Sequence, residues 1–193
     1  MAAYGRYIVM LGYAGARTAL TLAELHREEV QKRFPKHFLK QEEELKRVVS
    51  RLSVRMGEIG QQDLSQECLV TLVENEVFPA LWKLAEGLDA GLDVELRKIP
   101  VLQYVIEISE LFDANPYVNM TALENKKCFE AMGLTGQETN ATYSLLVATD
   151  APETVVAFGE TNGLPAAVIG RLTDKNDRIV RNGEIIRYLT PEG

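Results

Sequence analysis

The stretch TYSLLVATDAPETVVAFGETNGLPAAVIGRLT, Thr142 to Thr173, limits most what this chain can fold into. TYSLLVATD, Thr142 to Asp150, is an apolar run that reads as a buried strand. DAPE follows, with Asp150 as a helix cap, Glu153 three residues on, and a proline inside the first turn. The helix carries Val155, Val156 and Phe158 and stops at NGLP. PAAVIGRLT is then a second strand. A crossover of about a dozen residues lets the two strands lie parallel as neighbours or flank another strand. IVRNGEIIRYL, centred on Asn182-Gly183, closes the chain as a hairpin.

Upstream, YIVML (Tyr7 to Leu11) reads as a buried strand. GYAG follows, and then a helix from Arg17 to about Phe34 with Leu20, Leu22, Ala23 and Val30 at its apolar positions. A strand, a glycine turn and a helix N-terminus make a possible anion site; tight packing of helix on strand explains the same glycines, Gly12 and Gly15. Pro35 breaks the helix. A second helix runs from about His37 to Leu52, with Leu39, Leu45, Val48, Val49 and Leu52 on one face and KQEEELKR as a solvated charge run.

MGEIGQQD, Met56 to Asp63, reads as a loop. Helical stretches follow at roughly Leu64 to Val73 and Val77 to Leu88, the second with Phe78, Leu81, Trp82 and Ala85 as a core stripe that buries Trp82 against the sheet. GLDVELRKIP alternates Leu92, Val94 and Leu96 with charge, a strand with one wet face. Val101 to Phe112 and Thr121 to Met132 read as helices, and GLTGQETNA as a polar loop. Together these elements predict an α/β sandwich: a small mixed sheet with helices packed on it, without internal repeat or linker.

The net charge of −7 argues against a nucleic-acid partner, which needs a basic face. No apolar stretch approaches the ~20 residues of a membrane helix, and MAAYGRYIVMLGYAG lacks the order of a signal peptide. The expected setting is the cytoplasm. Cys68 and Cys128 then read as reduced thiols rather than a disulfide. His26 and His37 read as solvated helix residues, since neither has ligand spacing around it.

The order of the pieces carries a resemblance. GYAGARTALTLAEL, KRFPKHFL, LKRVVSRLSV, EVFPALWKLAEGLDAGLDVELRKIPV, FDANPY, SLLVATDAPETVVAFGETNGLPAAVIGRLTDKNDRIV and EIIRYL follow one another. This resembles the C-terminal domain of the AIR synthase-related (PurM-like) superfamily, nearest its hydrogenase-maturation carbamoyl-dehydratase-like branch. The resemblance covers nearly the whole chain. It implies a single C-terminal-type domain over residues 1–193, with the ATP-binding N-terminal domain of the family absent. In relatives that domain carries the acidic metal ligands and most of the ATP-phosphate contacts that phosphoryl transfer needs.

The family's C-terminal domain also contributes a motif resembling H-D-x-T-E-G-G, whose glycines let backbone N–H groups approach phosphate. Here the aligned text is VTLVENE, Val70 to Glu76. Only Glu74 stands where the family has its glutamate. Val70 and Thr71 replace the His-Asp pair, and Asn75 and Glu76 replace both glycines, so Glu76 adds charge where phosphate would approach. The family's S-S-G turn is replaced by NATY, Asn140 to Tyr143, after an apparent insertion from Asn119 to Thr139.

The resemblance with these losses implies a non-catalytic binding, regulatory or assembly protein. The alternative is a subunit of a split ATP-dependent enzyme whose ATP-binding domain lies on another chain. No catalytic residue and no metal ligand is assigned. Gly12, Gly15 and Glu74 are the candidate ligand-binding residues. ATP and magnesium are expected only if a partner chain completes the site. A homodimer or hetero-complex is expected, with the N-terminal strand and the Asn119–Thr139 insertion near the contact.

Overall fold

The computed structural model describes residues 4–59, 69–72, 76–117 and 143–192. Its strands are β1 (Tyr7–Gly12), β2 (Leu69–Leu72), β3 (Gly91–Glu95), β4 (Ser144–Thr149), β5 (Ala166–Thr173), β6 (Arg178–Asn182) and β7 (Ile185–Tyr188). Its helices are α1 (Ala16–Leu25), α2 (Arg27–Arg33), α3 (Lys36–Ile59), α4 (Val77–Gly87), α5 (Gln103–Leu111) and α6 (Pro152–Thr161). The strands form one sheet in the order β2-β4-β1-β5-β3-β6-β7. The expected mixed sheet with helices packed on it is what the chain forms.

β1 is the axis of the sheet. It pairs antiparallel with β4, Tyr7 opposite Thr149, and with β5, Tyr7 opposite Arg171. β4 and β5 therefore run parallel to each other with β1 between them, the second of the two arrangements open to the strand–helix–strand unit. The parallel pair is β3 with β6, Leu92 opposite Arg178.

Alternation along the strands sorts the side chains into two cores. Ile8 and Met10 of β1, Leu146 and Ala148 of β4 and Leu92 and Val94 of β3 pack with Phe78, Leu81 and Leu84 of α4. Val9 and Leu11, with Leu145 and Val147, face the other way onto Val48 and Leu52 of α3 and Val155 of α6. An outer helical core, built from Leu22, Val30, Leu45, Tyr104 and Ile108 among others, joins α1, α2, α3 and α5. With 0% exposure at Ile8, Val9 and Met10, β1 is covered on both faces. It is therefore no contact strand: the expectation that the N-terminal strand lies at an assembly interface is overturned by its position in mid-sheet.

Several local expectations are also corrected. The Arg17–Phe34 helix is two helices, because His26 leaves helical backbone (φ −117, ψ 35) and stacks its ring on Phe112 at 4.5 Å. α3 continues to Ile59, past the loop expected from Met56; one interior glycine costs about 1 kcal/mol, which a long packed helix absorbs. Leu69–Leu72 is a strand, not part of a helix, since LVTL is taken into the antiparallel ladder of β4 with Leu69 opposite Ala148. β3 ends at Glu95, and Leu96–Lys98 is a 3-10 turn.

Asp150 does not cap α6. Ala151 is the N-cap residue, its N–H donating to Thr149 Oγ1 at 3.0 Å, while Asp150 lies 3.6 Å from Arg6 Nε. The last turn falls on Gly183 and Glu184, since Asn182 and Ile185 are paired; Gly183 sits at φ +64. Trp82 is only partly buried: it packs at the margin of the α4 core with the Arg178 guanidinium 4.2 Å over its ring. His26 and His37 are exposed, as expected of solvated residues. The Thr121–Met132 helix, the loop after it, the 119–139 insertion and both cysteines lie outside the described residues.

Candidate functional site

β1 runs into α1 through Gly12-Tyr13-Ala14-Gly15. Both glycines have positive φ, +91 at Gly12 and +70 at Gly15, which side chains rarely adopt. Neither has room for one. A Cβ on Gly12 would sit 2.8 Å from Leu52 Cδ1, and one on Gly15 would sit 2.5 Å from Pro116 Cβ and 2.6 Å from Val105 Cγ1. The turn is thus fixed by close packing against Leu52 of α3 at Gly12 and against Val105 of α5 and Pro116 at Gly15. It also sets the N-terminus of α1, with Gly15 as an N-cap residue that supplies no side-chain cap.

A carboxylate from elsewhere in the chain fills that end. Glu76 precedes α4 in extended conformation (φ −134, ψ 161) and is 2% exposed. Its Oε1 accepts a hydrogen bond from the Thr18 hydroxyl in the first turn of α1. Burial pushes its carboxyl well above the ordinary carboxylate range, against the opposing pull of the Thr18 hydroxyl, the Arg17 charge and the backbone amides of Gly15 and Thr18. Its Oε2 is buried and finds no hydrogen-bond partner among the described residues. An acid in this setting keeps its proton to higher pH than a free glutamate does.

Gly12 and Gly15 therefore lie together at the end of α1, while Glu74 falls outside the described residues. The sequence marks Glu76 as a charge in place of a glycine. It does not reveal that the side chain turns inward to Thr18, which is 58 positions away.

A second buried carboxylate sits in the charge run read as solvated. Glu42 is 7% exposed. It accepts from the Tyr104 hydroxyl at 3.0 Å and from Lys46 Nζ at 2.6 Å, with Arg27 at 3.3 Å. Burial works to raise its pKa, but Lys46, the Tyr104 hydroxyl and Arg27 outweigh it and hold the carboxyl below its ordinary value. Tyr104 is pushed up by burial and by Glu42. This cluster ties α2, α3 and α5 together; every charge in it has a partner, which marks it as a clamp. No group of three His, Cys, Asp or Glu able to hold a metal occurs among the described residues. No described helix is long and apolar enough to cross a membrane.

No family model and no curated protein matches the chain. Solved structures do. A structure of E. coli HypE, a hydrogenase maturation protein, aligns with a TM-score of 0.63 and 16% identity over 97% of this chain and 49% of that one. The fold is PurM-like. A HypE structure in complex with ATP aligns at a TM-score of 0.57 with 13% identity, over 98% of this chain and 51% of that one. Thiamine-monophosphate kinase from Stenotrophomonas maltophilia K279a follows at 0.54 with 16% identity, over 94% and 52%. At these identities the likeness is one of fold. The chain spans about half the length of the solved structures that it matches.

Proposed function

We propose that this chain is a divergent, non-catalytic PurM-like domain that works by binding a protein partner, in a regulatory or assembly role, and holds no ATP site of its own. One observation carries the reading: the carboxylate of Glu76 occupies the N-terminus of α1 beside Thr18. A helix N-terminus attracts an anion through its free N–H groups and its dipole. Here the chain's own acid takes that place, and a phosphate group would meet both a filled niche and, once Glu76 ionises, a like charge. The test is calorimetry of the isolated chain with magnesium and ATP. No binding is expected; a magnesium-dependent dissociation constant below about 100 μM, roughly −5.5 kcal/mol, refutes the reading.

The second reading is a subunit of a split ATP-dependent enzyme, completed by an ATP-binding domain on another chain. It draws on the length relation: the HypE crystallised with ATP matches this chain over 51% of its own length. Purification from the native source separates the two. A stoichiometric partner that brings magnesium-dependent ATP turnover replaces the first reading with the second.

A further inference from the structure

The chain contains two Asn-Gly dipeptides, Asn162-Gly163 and Asn182-Gly183. Asparagine is chemically labile, and most so before glycine, which leaves the next backbone nitrogen unshielded and its backbone free to turn. That nitrogen attacks the asparagine Cγ, and the fold decides how free it is to do so. The two dipeptides stand in opposite settings.

Asn162 and Gly163 follow the last residue of α6. Gly163 N–H donates to the Glu160 carbonyl at 3.2 Å, and Asn162 Nδ2 donates to the Phe158 carbonyl at 2.8 Å. Arg51 Nη1 donates to the Gly163 carbonyl at 3.2 Å. Leu164 is buried, and its N–H donates to the Gly159 carbonyl at 2.8 Å. Attacking nitrogen, leaving nitrogen and backbone are all tied down.

Asn182 and Gly183 stand at the tip of the β6–β7 hairpin, and both are exposed. Gly183 N–H has no hydrogen-bond partner among the described residues. Arg97 Nε donates to Asn182 Oδ1 at 3.1 Å, so a cation faces the oxygen on which negative charge builds when Cγ is attacked. Extended pairing with Ile185 opposes the attack, because it holds the Gly183 nitrogen away from Cγ. That pair is the last of its ladder, and β7 is exposed along its length, so local fraying releases it.

We propose that Asn182 is a self-modification site, which loses its side-chain amide with the help of Arg97 while Asn162 keeps its own. The Gly183 nitrogen gives its proton to base and bonds to Asn182 Cγ. The Cγ–Nδ2 bond breaks, ammonia leaves, and a cyclic imide remains. Water then opens the ring. Opening at Cγ leaves aspartate; opening at the main-chain carbonyl leaves isoaspartate, with the backbone routed through the former side chain. Either product sets a carboxylate where Arg97 now meets an amide. Isoaspartate also lengthens the backbone beside Ile185 and opens the tip of the hairpin.

Peptide mapping by mass spectrometry follows both sites in the full chain, held at pH 7 and at pH 9. Position 182 should convert about tenfold faster than position 162 in the folded protein, since Asn162 must first break two hydrogen bonds. Conversion should be faster at pH 9, where base takes the Gly183 proton more readily. In urea the two sites should convert at similar rates. Asn182→Gln, which would have to close a larger ring, should all but stop ammonia release from the folded chain. Arg97→Met should slow conversion at 182 several-fold and leave 162 unchanged. No conversion at 182, equal rates at the two sites in the fold, a preference for 182 that persists in urea, or faster loss in Arg97→Met would overturn the proposal.

Discussion

Glu76→Gln should stabilise the protein at pH 8 and leave it unchanged near pH 4. In the unfolded chain, glutamate titrates near 4.3. In the fold, burial raises the Glu76 carboxyl, and the nearby Thr18 hydroxyl, Arg17 and Gly15 amide only partly offset this. Between the two pKa values the folded state holds a proton that the unfolded state has released. Stability therefore falls as pH rises through that window and stays low above it. Glutamine keeps the shape and the Oε1 acceptor for Thr18, but carries no charge at any pH. Its gain at pH 8 comes from removing the charge that burial disfavours, and the amide nitrogen that takes the place of the unpaired Oε2 limits that gain to about 1 kcal/mol. For a chain of this size that corresponds to about 2–4 °C in Tm per kcal/mol. Urea unfolding followed by circular dichroism at pH 4, 6 and 8 gives the measurement. A glutamine variant more than about 1 kcal/mol less stable than wild type at pH 8, or a difference that does not change with pH, would refute the reasoning.

Tyr104→Phe removes the hydroxyl that holds Glu42 at 3.0 Å and should cost about 1.5–3 kcal/mol at pH 7 in chemical denaturation. Because the folded-state pKa of Glu42 is lowered, that contribution is present above the ordinary carboxylate range and should fade as acid protonates the group. Trp82→Ala should cost about 1–3 kcal/mol in urea unfolding, below the range for a fully buried aromatic, because the ring is partly exposed and lies under Arg178 at 4.2 Å.

What could be read from the sequence is what neighbouring residues decide between themselves. SLLVAT, the proline at the start of α6 and the AAVIGRLT run all act within one strand or one turn, so the β4–α6–β5 unit is found where it was expected. The alternation in β3 likewise places Leu92 and Val94 in the core. LVTL is different. Four residues carry too little pattern to separate strand from helix, and it was the ladder offered by β4, more than seventy positions later, that decided the outcome. The same holds for the place of β1 between β4 and β5, which no local signal encodes.

The polar groups sharpen the point. Glu42 and Glu43 are adjacent in one charge run, yet only Glu42 is buried, because Tyr104 and Arg27 meet it from other helices. Charge patterning on the helix places KQEEELKR on a wet face, and for most of the run that is right. The exception is set by a partner 62 positions away. Glu76 follows the same rule. In the sequence it is a lost glycine and an added charge; in the fold it turns toward the first turn of α1, where Thr18 receives it. Burying a carboxylate there is costly unless something favours an anion at that spot. The open N–H groups at the start of a helix whose N-cap is a glycine with no side chain offset part of that cost. The same groups that make the end of α1 a plausible anion site thus receive the chain's own acid there, and the pH dependence of the Glu76→Gln variant measures how far burial outweighs them.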